Sequence, residues 1–283
     1  MFNWFRSWGS WALVAVVAVL VVVAGPVPAT SEWDVGFESE WELAFFDDFD
    51  GSSLDEAHWV TCYWWAVDGC AIGTNGELQW YQPDNVNVSG GEAQLSAEVE
   101  SVTTHDGEVR SFTSGMVSTG RATSNLDESP RFSFTYGRVE VRARVPAGQG
   151  LWPALWLLPI DHESRPEIDI MEVLGHDTDT LRMHYHRTVD GERSSLGRNV
   201  MTIDLNAGWH TYALEWTPVA LVWFLDGHER WRIEGPSIVP HEPMYFIANL
   251  AVGGPYPGSP TNDTEFPSTF SLDFVKVWQR VAQ

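Results

Sequence analysis

The chain has 283 residues, with 39 Asp and Glu against 16 Lys and Arg, for a formal net charge of −23. Such a field repels phosphate backbones and anionic lipid, which argues against nucleic acid or a membrane surface as the partner. A hydrophobic share of 44% with 19% charged residues excludes a disordered chain and supplies a core large enough for one sizeable domain.

In chain order, Met1–Ala29 reads as an export signal. Arg6 precedes an apolar run from Trp11 to Ala24, and Val27-Pro28-Ala29 offers small residues for cleavage. The run is short for a spanning helix, which needs about 20 apolar residues; an uncleaved anchor is the alternative. Either way the remainder lies outside the cytoplasm, where Cys62 and Cys70 are expected to pair as a disulfide. Thr30–Ser39 is a short acidic lead-in. One β domain then occupies residues 40–283, without repeats or a long linker.

Alternation and turn residues mark its strands. Arg138–Val145 alternates polar and apolar and stops at Pro146-Ala147-Gly148, and Leu151–Leu158 is a nearly continuous apolar run. Trp209–Trp216, Leu221–Leu225 and His228–Ile233 are joined at Thr217-Pro218 and at Asp226-Gly227, the second a strong hairpin signal. Met244–Val252 and Phe270–Arg280 complete the set. Helical period is scarce, so the expected fold is all-β, an antiparallel β-sandwich or jelly roll.

The segment richest in chemistry is Pro166-Glu167-Ile168-Asp169-Ile170-Met171-Glu172-Val173. Strict alternation would put Glu167 and Asp169 on one face and bury Glu172 among the isoleucines on the other. A buried, unpaired carboxylate costs several kcal/mol, so a β-bulge at Ile170-Met171 is expected, turning Met171 inward and Glu172 outward. Three carboxylates then share one face. Crowding raises at least one pKa, so the cluster retains a proton near neutral pH. Glycosidic cleavage needs such a set: one carboxyl to protonate the leaving oxygen and one carboxylate at the anomeric carbon, roughly 5–5.5 Å apart in retaining enzymes. On spacing alone, an exposed acidic strand in an acidic protein explains the segment as well.

Aromatic content shifts the balance. Of sixteen tryptophans, Trp4, Trp8 and Trp11 lie in the signal, while Trp64, Trp65, Trp80, Trp152 and Trp156 fall near loops or ahead of the acid strand. Flat rings beside a few polar groups make a typical cleft for sugars. Trp152 and Trp156, with His184 and Asn249, are the candidate substrate-binding residues.

Gly148-Gln149-Gly150-Leu151-Trp152-Pro153-Ala154-Leu155-Trp156-Leu157-Leu158-Pro159, followed by Glu167-Ile168-Asp169-Ile170-Met171-Glu172, resembles glycoside hydrolase family 16, in particular its laminarinase branch. The likeness includes Asp47-Asp48-Phe49-Asp50-Gly51, Glu77-Leu78-Gln79-Trp80-Tyr81, Tyr136-Gly137-Arg138, Trp209-His210-Thr211-Tyr212, Asn249-Leu250-Ala251-Val252-Gly253-Gly254 and Asp273-Phe274-Val275-Lys276-Val277-Trp278-Gln279. It implies a concave, concanavalin-like jelly roll and a retaining endo-β-glucanase acting on β-1,3 or mixed β-1,3/1,4 glucan. It makes Glu167 the nucleophile, Asp169 its hydrogen-bonding helper and Glu172 the acid/base. It also implies a structural calcium on the convex side, at Asp48, Asp273 and the backbone oxygen of Gly91, with no cofactor in the chemistry. A monomer is expected. The approach Asp161-His162-Glu163-Ser164-Arg165-Pro166 is shorter than the Trp- and Gly-containing approach of many laminarinases, which puts the fit of the sugar beside Glu167 in question.

Other readings remain at this point. A metal-dependent cupin could use His184, His186 and Glu192, the last expected in a loop. A carbohydrate-binding sandwich would explain the aromatics but gains nothing from crowded acids. Within the family, agarase, carrageenase or transglycosylase activity is the alternative to glucan hydrolysis; Arg165, Arg182 and Arg187 keep the sulfated substrates open.

Overall fold

The computed structural model describes residues 41–65, 70–104, 107–161 and 165–281. The expected export signal and lead-in lie outside these residues. Among the described residues, no helix is long and apolar enough to cross a membrane.

Two antiparallel sheets form the body. The larger runs in the order His228–Glu234, Ala220–Leu225, His210–Thr217, Gly137–Arg144, Ser268–Arg280, Glu92–Ala97 and Val86–Ser89, and Trp41–Asp47 also pairs with Ser268–Arg280. The smaller runs Glu192–Met201, Asp177–Val189, Glu167–Leu174, Leu151–Pro159, Met244–Val252 and Met116–Ser118. This is the all-β sandwich expected from the alternation. The Gly137–Arg144 strand shows how it arises: Val139, Val141 and Ala143 are buried while Glu140, Arg142 and Arg144 point the other way. Their inward faces meet Leu155, Leu157, Ile168 and Met171 of the smaller sheet in one core. Each such side chain contributes about 1.5–3 kcal/mol on burial.

Strand positions follow the sequence closely, with Met244–Val252 matched end to end. Asp226-Gly227 makes the expected hairpin turn, both residues at positive φ (51° and 76°). Cys62 and Cys70 are joined as a disulfide. One hairpin departs from expectation. Glu192, expected in a loop, opens a strand that pairs with Thr180–Val189. These two strands are rich in Thr, Ser, Arg and Asp, and half of that ribbon is exposed, so the core imposes little alternation on it.

Trp223 ties the two layers together at the acid strand. It is fully buried, stacks on Trp231 with ring centroids 4.3 Å apart, and its Nε1 donates to the Asp169 carbonyl at 2.9 Å. Trp223→Phe keeps most of the volume and strands that carbonyl. The expected cost is about 1–3 kcal/mol, read by urea denaturation as a lower midpoint at unchanged slope. An unshifted midpoint would show that the bond does not support the strand.

Candidate active site

Between Leu151–Pro159 and Glu167–Leu174, Leu155 pairs with Met171 and Trp156 with Asp169, leaving Ile170 as the extra residue of a bulge. This is the bulge expected at Ile170-Met171. Ile168, Ile170, Met171 and Val173 all enter the core between the sheets. Glu167, Asp169 and Glu172 all line the cleft on the other face. Asp169 and Glu172 are nonetheless only 5% and 6% exposed, so they sit at its floor.

Each acid has a histidine beside it. His184 Nδ1 lies 2.5 Å from Glu172 Oε2, and Trp152 Nε1 donates to Glu172 Oε1 at 3.1 Å. His186 Nε2 lies 3.2 Å from Asp169 Oδ2 and 3.8 Å from Glu167 Oε1. His186, which the sequence offered only as a cupin ligand, therefore stands beside the acids; its signal was its place two residues from His184 on the same strand face. The two imidazoles stack with centroids 5.6 Å apart.

Burial, and then the Asp169 charge, push Glu167 up to about 8. Burial, and then Glu172, push Asp169 well above the usual carboxylate range. Burial disfavours charge on His184, but its bond to Glu172 outweighs this and the net shift is upward. The cluster thus holds protons at neutral pH as a shared property of its members.

The cleft, of about 500 Å³, is walled by Trp152, Trp156, Trp65, Tyr63 and Tyr256, within the usual size of a ligand site. Tyr256 meets Trp152 edge-on at 5.1 Å, and Trp65 stacks on Tyr63 at 4.8 Å. Trp64 and Trp80 lie in the packing behind this wall. Asn249 also borders the cleft, but its amide is taken up from both sides: Trp156 Nε1 donates to Oδ1 at 2.8 Å and Nδ2 donates to Tyr81 Oη at 2.9 Å. It braces Trp156. Sequence reasoning did not single out Glu77, Tyr256 or Arg193, which border the same cleft. Glu77 lay within a quoted segment without being assigned a role; Tyr256 and Arg193 carried no local signal.

The cupin set does not assemble as expected. Glu192 pairs with Val189 at the hairpin end, whereas His184 pairs with Gly197. For the calcium, register brings the three positions to one corner. Asp47 pairs with Val275, Leu272 with Ala93, and Ser89 with Glu92 around the Gly90-Gly91 turn. Asp48, Asp273 and the Gly91 carbonyl are hard oxygen donors, as calcium requires. One Asp273 oxygen, Oδ2, accepts from Arg142 at 2.6 Å.

A sandwich whose smaller sheet sinks three carboxylates among tryptophans has the build of a glycoside hydrolase. Residues 79–273 match the family model for glycosyl hydrolases family 16. The chain is 34% identical over 237 residues to the endo-1,3-1,4-beta-glycanase ExsH of Rhizobium meliloti, covering 78% of this chain and 47% of that one. It thus spans about half the length of that relative. It is 33% identical to a beta-glucanase of Rhodothermus marinus, covering 85% and 86% of the two chains. The endo-beta-1,3-glucanase structure from Pyrococcus furiosus superposes with a TM-score of 0.74 at 28% identity, covering 87% and 98%. The chain belongs to glycosyl hydrolase family 16, and its jelly-roll fold is the one expected.

Asn249→Ala leaves the Trp156 N–H and the Tyr81 hydroxyl unpaired in a buried layer. Stability should fall by about 1–3 kcal/mol, and KM should rise as Trp156 loosens. Unchanged thermal melting with unchanged KM would show that the brace carries no weight.

Proposed function

We propose that the protein is a secreted, retaining endo-β-glucanase that hydrolyses internal β-1,3 and mixed β-1,3/1,4 bonds of laminarin-type polysaccharide. The observation that carries this reading is the bulge at Ile170, which turns Glu167 and Glu172 to the same cleft. The names of the relatives described above support the glucan class, and the Trp-lined cleft suits an uncharged chain of sugars.

The reacting form is the one in which the cluster's proton sits on Glu172 and Glu167 is ionised: the Glu167 carboxylate attacks the anomeric carbon, a glycosyl ester forms, and the C–O bond to the leaving sugar breaks. Glu172, held by His184, gives that oxygen its proton. In the second step Glu172 takes a proton from water, whose oxygen displaces Glu167. Asp169 stands between the two glutamates and orients Glu167. Trp152 holds Glu172 from its other oxygen. Which glutamate takes which role rests on the family likeness.

A panel of laminarin, mixed-linkage glucan, agarose and carrageenan with product analysis tests the substrate. Laminarin should give internal cuts and oligosaccharides; activity confined to agarose or carrageenan overturns the glucan reading. The roles are tested with an activated aryl β-glycoside and azide. Glu167→Gly should abolish hydrolysis and yield an α-glycosyl azide. Glu172→Ala should slow poor leaving groups about 100- to 10,000-fold and yield a β-glycosyl azide. Reversed azide stereochemistry would exchange the two assignments, and inverted product from the unaltered enzyme would sink the retaining mechanism.

Two further parts belong to this proposal. Met1–Ala29 directs export, in keeping with the Cys62–Cys70 disulfide. Calcium at Asp48, Gly91 and Asp273 joins the N-terminal strand, the Gly90-Gly91 turn and the last strand without touching the cleft. Free calcium should then raise the melting temperature and leave the rate on glucan unchanged. A melting temperature indifferent to exhaustive chelation counts against the site.

A further inference from the structure

His184 and His186 stand two apart on Asp177–Val189, facing the cleft, and neither forms a bond to sugar in the proposed reaction. Asp169, on the neighbouring strand, completes a group whose ligand atoms all lie within 4.8 Å of one another. Asp169 is 5% exposed, and its Oδ2 lies 3.2 Å from His186 Nε2 without a well-aligned hydrogen bond. A buried carboxylate so weakly paired is costly and is relieved by a cation. Gly197, paired with His184, gives that ring its place: a β-carbon there would lie 2.4 Å from His184 Cδ2.

We propose that Asp169, His184 and His186 form a site for a divalent transition ion of the zinc and copper class, and that the ion excludes the sugar when bound. Two imidazoles and a carboxylate suit zinc, copper and nickel, whereas calcium and magnesium favour all-oxygen shells. Zinc holds such ligands at about 2.0–2.2 Å, so the group closes around it by side-chain rotation. Glu172 Oε2, 2.5 Å from His184 Nδ1, is within reach as a fourth ligand, and water is the alternative. The bound ion removes Asp169 from its place beside Glu167 and takes the partner of Glu172. Binding and inhibition are therefore one event at one site. The inhibitory consequence rests on the catalytic reading of the cleft; the binding does not.

The test is calorimetric titration of the tag-free, chelator-treated full chain with zinc, in parallel with initial rates on laminarin. One zinc per chain should bind, and the rate should fall with the same midpoint, while calcium and magnesium leave the rate unchanged. Loss of an outer partner costs about 10- to 100-fold in metal affinity, and loss of a ligand at least as much. His186→Asn should therefore bind zinc at least about tenfold more weakly. Gly197→Ala, which keeps all three ligands but crowds His184, should also weaken it, with circular dichroism reporting that both variants fold. Absence of stoichiometric binding, or an affinity in the folded variants equal to that of the unaltered chain, overturns the site. Binding that leaves the laminarin rate untouched overturns the exclusion of sugar. A chain that binds zinc as expected but cuts no glucan refutes the proposed function and leaves the metal site standing.

Discussion

The acid strand faces two surfaces that demand different periods. Toward the larger sheet it must present apolar side chains to a close-packed core; toward the cleft it must present carboxylates that cannot be buried unpaired. A regular strand alternates strictly, and from Glu167 to Glu172 no strict alternation meets both demands. One unpaired residue, Ile170, resolves the conflict by sending Ile170 and Met171 inward in succession. The bulge is therefore as much a packing feature as a catalytic one. Trp223 fixes it from the core side by bonding the Asp169 carbonyl, so the position of the cleft acids depends on an indole in the opposite sheet.

Placing three carboxylates at the floor of a cleft in a chain of net charge −23 opposes their ionisation. Desolvation and mutual repulsion both raise the pKa of Glu167 and Asp169. The structure offsets this locally. His184 bonds Glu172, His186 approaches Asp169, and the Trp152 indole donates to Glu172. These partners differ in kind, and so do the acids: Glu172 is hydrogen-bonded at both oxygens, whereas Asp169 Oδ2 has only the ion-pair contact with His186. Such inequality among neighbouring carboxylates is what a reaction with distinct acid and nucleophilic roles requires.

Much of this was legible in the sequence where burial enforces a pattern. Val139, Val141 and Ala143 declare their face, and the cost of burying Glu172 sufficed to place the bulge. Legibility fails where burial does not act. The Glu192–Met201 strand of the hairpin is largely exposed, so it carried little signal, and Glu192 was misplaced in a loop. His186 was undervalued because its importance depends on Asp169 across the strand pair. Asn249 was expected against the substrate and does border the cleft; what the sequence did not show is that its amide joins Trp156 and Tyr81, which come from distant parts of the chain. Long-range hydrogen bonds of this kind leave no periodic trace.

The wall of the cleft follows a different logic from its floor. The floor is made by adjacent strands whose register fixes the acids and histidines relative to one another. The wall opposite comes from the segment around Tyr63, Trp65 and Glu77, outside both large sheets and anchored by the Cys62–Cys70 disulfide. Its aromatic layer reaches the sheet through Tyr245, whose hydroxyl accepts from Trp64 and Trp65 at 3.1 and 3.2 Å, and through the Tyr81–Asn249–Trp156 chain. The wall is thus fastened to the same strands that carry the floor. A change in the connecting segments can reshape what the cleft accepts without disturbing the acids, because the bulge and its Trp223 bond lie in the sheets. The short approach Asp161–Pro166 is such a segment, and Arg165, at its end, already borders the cleft beside Glu167. The connecting segments and the aromatic wall thus shape the cleft, while the strand that the core compels to bulge places the acids.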